Sequence, residues 1–428
     1  MNHISPIKIF LSSLIGLFLL GCSHYDAPEI VQDHNSLGIS PLIRDEEEIS
    51  QIALDATQML SSLENGNKSR SKDDYIIESI FSLPQSYSRS IDYPLLSVVN
   101  FEGDNGFAIV SNYKSMPELI AISENGHYYP QEKTTNPGLS MYIESIQNPA
   151  NWDLEIKSSI DIPIEPPKPA IFERTLRDTV SKSEVAPRLK MNWGQGNVAG
   201  QFCPNKVAGC SNVALAMAIA YFKHPSYIAP TYIHPNHGPI SLNWEKILAH
   251  QNDLSFSFND SCDNESYPTH ETYGKLLREL GHRSGTSYGY NDDGSASSAT
   301  PISGTYQTAC DLGFAATRKL SYEAGDVKKY LTYGIILLAG NRLVEENKYS
   351  GHMWACDGYK YYNIKERYQQ KEGENGTWKT IHTDYHSYLY NHFNWGWNGF
   401  GNGYFLDMEF GPSVKNYKYD VQFIVIKR

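Results

Sequence analysis

The chain has 428 residues, 40% of them hydrophobic, enough for roughly two to three domains with buried cores. A formal charge of -12 argues against nucleic acid as a partner. Beyond the N-terminus no stretch is apolar for long enough to cross a bilayer as a helix.

Lys8 precedes a mostly apolar run from Ile9 to Leu20, which ends Leu19-Leu20-Gly21-Cys22. A basic start, an apolar centre and a small residue before cysteine follow the bacterial lipoprotein signal. Residues 1–21 are then a signal peptide, and Cys22 becomes the lipid-bearing N-terminus. Each buried CH₂ of such a lipid contributes about 0.8 kcal/mol, so several chains hold a protein firmly at a membrane. The expectation is export and lipid anchoring in the bacterial envelope, at the outer membrane or cell surface, with release on maturation. The alternative is an ordinary signal peptide with an incidental cysteine.

Residues 22–45 are polar and aperiodic and read as a tether. Ile49, Ile52, Ala53, Ala56, Met59 and Leu60 recur at helical spacing, which predicts a helix over 46–61. Leu96 to Phe101 and Gly106 to Ser111 read as two strands joined by a turn at Glu102 to Asn105. Asn136-Pro137-Gly138 is a turn before a short helix at Tyr142 to Ile146. These elements predict a small α+β unit over 46–160. Ile162-Pro163-Ile164 and Glu165 to Pro169, followed by polar sequence, mark 161–185 as a linker and a target for proteolytic activation.

From residue 186 a helix is expected at Cys210, because Val213, Ala214, Ala216, Met217, Ala218, Ala220 and Tyr221 form a small apolar run that stops before Pro225. A second helix, Tyr273 to Leu280, is expected to end at Gly281. Tyr288 to Ser298 reads as a Gly/Ser/Asp-rich loop, Ala324 to Leu331 as a helix. Ile335 to Ala339, His352 to Gly358, Tyr388 to Trp395, Gly403 to Leu406 and Val421 to Ile426 read as strands. Lys360 to Tyr388 is polar and reads as an insertion.

With Cys22 lipidated, Cys203, Cys210, Cys262, Cys310 and Cys356 remain, and an odd count leaves at least one thiol without a partner. No cysteines stand at the short spacing of a zinc site, so no metal is expected. Cys210 follows Gly209 at a helix start, where unpaired N–H groups stabilise a thiolate. A structural core cysteine is the alternative. His352, after Gly351 at the mouth of a strand, is a candidate base; His382, His386 and His392 compete with it. Asn394 is placed to orient an imidazole, and Gln195 to donate to an oxyanion beside the Cys210 N–H. Trp395 is equally a core anchor, and Gln195 equally a surface residue.

In order, the motifs are Trp193-Gly194-Gln195, Cys203-Pro204, Gly209-Cys210, Leu276 to Gly281, the Gly/Ser loop, Gly351-His352 with Asp357-Gly358-Tyr359, and Asn394 to Gly399 followed by Gly403-Tyr404-Phe405. Together they resemble the streptopain family of bacterial cysteine peptidases, distant relatives of papain. Gly106 to Ser111 and Asn136-Pro137-Gly138 resemble its prodomain. The resemblance implies an α+β, papain-like catalytic domain over 186–428, with a helical part and an antiparallel sheet part, behind an inhibitory prodomain. It implies Cys210 as nucleophile, His352 as base, Asn394 as orienting group and Gln195 in the oxyanion hole. Trp395, Trp397 and Gly351 would shape the substrate pocket. Protein or peptide substrates are implied, with the prodomain as intramolecular inhibitor and no cofactor. Ser211-Asn212 after the cysteine, Asn197 to Gly200, and Asn341 to Lys348 depart from the family pattern and bear on specificity. A catalytically silent binding module and another thiol acyl transferase are the alternative functions.

Overall fold

The computed structural model describes residues 43–60, 74–84, 93–130, 136–148, 152, 171–231, 239–249, 267–322, 324–345, 348–373, 376–407 and 419–428. The signal sequence, Cys22, the tether up to residue 42 and Cys262 lie outside them.

Helix α1 (Glu46–Ala56) begins at Asp45, whose carboxylate accepts the Glu48 N–H at 2.8 Å while Glu48 accepts the Asp45 N–H at 3.2 Å. This reciprocal cap satisfies two donors that the helix itself leaves unpaired. Ile49, Ala53 and Ala56 face inward, as their spacing requires. Strands β1 (Ile77–Ser82), β2 (Leu96–Phe101), β3 (Phe107–Ser111) and β4 (Leu119–Ser123) follow as antiparallel neighbours. Helix α2 (Pro137–Ile146) is capped by Asn136, whose side chain accepts the Leu139 N–H at 3.1 Å. It buries Leu139, Tyr142, Ile143 and Ile146.

The remaining elements are β5 (Ile171–Val185), α3 (Asn197–Gly200), α4 (Cys210–Tyr221), β6 (Tyr227–Ile228), β7 (Ile240–Ser241), α5 (Trp244–Ala249), α6 (Tyr267–Arg283), β8 (Ser287–Tyr290), β9 (Ala296–Ala299), α7 (Ile302–Asp311), β10 (Ala315–Lys319), α8 (Ala324–Tyr330), β11 (Ile335–Glu345), β12 (Lys348–Glu372), β13 (Lys379–Asn394), β14 (Gly403–Leu406) and β15 (Tyr419–Lys427). The fold is α+β. One sheet runs β1-β2-β3-β4-β14-β13-β12-β11-β15-β10, with β5 alongside the outer part of β12. The first and second halves of the chain therefore share a sheet, joined where β4 pairs with β14 (Ser123↔Gly403, Ile122↔Tyr404).

Alternation along β12 sorts its side chains onto two cores. Trp354 and Cys356 enter a cluster that also holds Phe101, Phe107, Tyr142, Trp395 and Phe405. Met353 and Ala355 enter the other, built around α4 with Leu276, Leu277 and Trp193.

Five sequence expectations change. Pro137 and Gly138, expected in a turn, form the first turn of α2. Residues 171–185, expected to be linker, form strand β5. The expected insertion at 360–388 is a long antiparallel hairpin, the outer parts of β12 and β13, paired from Gly358↔His392 to Gln370↔Lys379. With β5 it makes a three-stranded arm. The Gly/Ser loop at 288–298 is largely the hairpin β8–β9. Gly281 does not end its helix, which runs on to Arg283; it lies inside α6, facing the Tyr288 hydroxyl.

Candidate active site

Gly209 has φ +94°, and a Cβ there would approach Ser298 to 3.3 Å. A glycine is what this turn into α4 accepts. Gly209 provides no side-chain cap, so the positive end of the helix faces Cys210. The α4 residues Ser211 to Ala220 are all buried, which fixes the thiol's position.

Three groups converge on the sulfur. The Met353 N–H donates to Cys210 Sγ at 3.4 Å. His352, 4% exposed, and Ser211 both hydrogen-bond it. Burial opposes charge on this sulfur. The charge and hydrogen bond of His352, with the Met353 N–H and Ser211, outweigh that opposition and hold the thiol below its ordinary value. Cys203 and Cys356 behave in the opposite way, since burial pushes both thiols up. Cys203, Cys210, Cys310 and Cys356 are all unpaired. Cys210 is the one of these held toward the thiolate by an imidazole.

His352 Nε2 donates to the Trp395 carbonyl at 2.9 Å. A carbonyl only accepts, so Nε2 is a donor and Nδ1 is the nitrogen left to face the thiol. The ring stands edge-on to Trp397, with centroids 6.0 Å apart.

Asn394 does not bond the imidazole. Its Nδ2 donates to Met191 O at 2.9 Å and its Oδ1 accepts the Gly396 N–H at 3.1 Å. The Gly396 N–H belongs to the same peptide group as the Trp395 carbonyl. Asn394 thus holds the peptide that holds the ring. Asn402 fixes the preceding peptide, accepting the Trp395 N–H at 3.0 Å.

The Trp395 side chain is a core residue, fully buried between Trp354, Phe393 and Phe405. Its carbonyl, not its ring, hydrogen-bonds His352. Trp397 is half-buried beside His352, and Gly351 is exposed on β12 opposite Asn341. Gln195 is half-buried on the turn after Trp193. That turn is tied to the approach to Cys210, since Gln195 O accepts the Ala208 N–H at 2.8 Å, and to the tryptophan loop, since Trp193 O accepts the Asn398 N–H at 3.2 Å.

Helix α2 lies directly over this site. A Cβ on Gly138 would come within 2.7 Å of His352 Cδ2 and 2.4 Å of Trp395 Cε3. Asn136 Nδ2 also reaches Phe400 O at 3.0 Å. The residue at position 138 must be small for the helix to sit this close to the imidazole.

The competing histidines are otherwise engaged. His382 pairs with Asp384 at 2.6 Å, and His386 lies 3.7 Å from Glu366. His392 is buried between two carboxylates, Asp357 at 2.6 Å from Nδ1 and Glu124 at 2.5 Å from Nε2. Burial alone would lower its pKa, but the charges and hydrogen bonds of Asp357 and Glu124 raise it to about 9. Asp357 Oδ2 also accepts the Arg188 and Leu189 N–H groups, at 2.8 and 2.6 Å. Sequence reasoning missed this ionic core. Its single legible trace was Asp357 within the Asp-Gly-Tyr motif.

Residues 193–405 match the family model described as the peptidase C10 family, and residues 50–150 match the Spi protease inhibitor. No curated protein matches the chain. Among solved structures, a mutant prointerpain A fragment from Prevotella intermedia aligns at 20% identity and a TM-score of 0.49, covering 81% of this chain and 97% of that one. Active wild-type interpain A cysteine protease of the same organism aligns at 16% identity and a TM-score of 0.35, covering 56% of this chain and 94% of its own.

Proposed function

The chain belongs to the peptidase C10 family of cysteine peptidases and carries its inhibitor as a propeptide, and from that premise we propose that it is the lipid-anchored precursor of an endopeptidase with Cys210 as nucleophile and His352 as base. One observation supports the assignment above the rest: the Cys210 thiol, at a helix start, is held below its ordinary pKa by a buried histidine whose other nitrogen is committed to a carbonyl. That arrangement leaves Nδ1 to take the thiol proton.

The thiolate attacks the peptide carbonyl, and the oxyanion forms beside the Cys210 N–H, with the Gln195 side chain as second donor. Each such donor contributes about 3 kcal/mol to the transition state. The imidazolium then protonates the leaving amine, and water attacks the acyl-enzyme and frees the thiol. In the precursor, Gly138 of α2 lies against His352 and the Trp395 ring, and this contact is the block to substrate in this reading. Cutting between the two family matches would release this cover, and with it the N-terminal anchor at Cys22. Residues 46–160 would act as the prodomain, and 186–428 would carry the chemistry.

A Cys210→Ala chain should fold, stay full length and hydrolyse no peptide. A thiol-reactive peptide epoxide should label the wild-type processed form at Cys210 and leave the precursor unlabelled. Peptide hydrolysis by the alanine variant would end the assignment.

A further inference from the structure

We propose that β5 is part of the mature enzyme: processing makes no cut from Ile171 to Leu189, so the active peptidase keeps β5 as its first strand, laid along β12. This rests on the precursor reading above and specifies what maturation leaves behind.

The pairing runs the whole length of β5, from Ile171↔Glu372 to Val185↔Tyr359, with one irregularity at Asn363/Ile364. Side chains reinforce it. Arg177 meets Glu366 at 2.6 Å, Asp178 meets Arg367 at 2.6 Å, and Glu184 meets Lys360 at 3.0 Å. Arg174 donates to Gln369 at 2.9 Å and lies 4.2 Å from the centre of the Trp378 ring. Glu366 is buried, so its partner holds a carboxylate out of water rather than decorating a surface. The chain stays fastened beyond the strand. Asp357 takes the Arg188 and Leu189 N–H groups, and the Arg188 guanidinium donates to Gly334 O at 2.7 Å.

These partners lie on β12, in the turn before β13, or in the loop before β11. Of the pairs named here, only Arg177 also reaches the prodomain, through Glu118. Prodomain departure therefore leaves nearly all of the β5 contacts intact. A peptidase takes its substrate as an extended segment whose backbone groups are open to hydrogen bonds from the cleft. β5 has one side committed to β12, and a cut within it would first require several pairs to open. Loss of β5 would also bare the β12 edge from Tyr359 to Glu372, about 40 Å of unpaired backbone at the usual rise per residue. Long open edges of that kind recruit other strands.

The test is to produce the full chain, let it process, label the active form at Cys210 with a peptide epoxide, and read the N-terminus of the labelled product by mass spectrometry. The expected product begins at or before Ile171 and lacks the residues of α1 to α2. A labelled product that begins anywhere after Ile171 overturns the proposal and leaves the precursor reading standing. A labelled form that still carries residues 46–148, or a chain that never becomes labelled, overturns the precursor reading itself and the proposal with it.

Discussion

Two buried imidazoles stand on neighbouring strands, His352 on β12 and His392 on β13, and they are held in opposite ways. His352 lies between a thiol and a neutral carbonyl. Neither neighbour is a carboxylate. His392 lies between two carboxylates, which bind it as an imidazolium. In the proposed mechanism the first site passes a proton, and the other spends its charge on holding Glu124, within the inhibitor match, against β12 and β13. Burial is alike in the two, so the partners decide what each ring does.

The sharpest way to break the contrast is at the thiol. Cys210→Ala should lower kcat/KM by at least about a thousandfold while leaving the melting temperature of the precursor within a few degrees, because the lost group works in the transition state. Next in size, His392→Gln should destabilise the precursor by about 3 kcal/mol, since it leaves Asp357 and Glu124 facing each other without a cation. Chemical denaturation would read the loss, and His382→Gln on the exposed arm serves as the control. Asn394→Ala should reduce kcat roughly ten- to a hundredfold with little change in KM, because the side chain steadies the Trp395–Gly396 peptide rather than touching substrate. A loss confined to KM would instead make Asn394 a substrate contact.

Acidity separates the two rings further. The folded pKa of His392, about 9, exceeds its ordinary 6.5. Its stabilisation is therefore complete below about pH 6.5 and is lost as pH rises through about 9. The precursor should weaken over that window by at most about 1.4 kcal/mol per pH unit, and the His392→Gln precursor should lack the slope. The smallest effect expected is that of Glu124→Gln. It keeps the Asp357–His392 pair, weakens the prodomain contact by about 1 kcal/mol, speeds processing several-fold, and leaves kcat of the mature enzyme unchanged.

Much of this was legible in the chain. The α4 start after Gly209, the β2–β3 pair and α1 follow from spacing and turn residues within a dozen positions. Long-range partners were not legible. β5 is polar and follows a proline-rich stretch, and it becomes a strand because β12 supplies backbone partners and opposite charges nearly two hundred positions away. The polar hairpin over 360–388 is hidden for the same reason. Asn394 looks from sequence like a direct partner of the imidazole, and the structure interposes one peptide group. The ionic core at His392 joins Asp357 of β12, His392 of β13 and Glu124 just past β4, and of these only Asp357 stands in a motif.

Where β4 meets β14 the shared sheet is only a few residues wide, Ser123 to Ala121 against Gly403 to Phe405. So narrow a seam can be peeled rather than torn: three backbone partners let go in turn, beginning at a glycine. The rim that parting would leave on β14 is a strand of four residues, too short an open edge to capture a stranger's backbone.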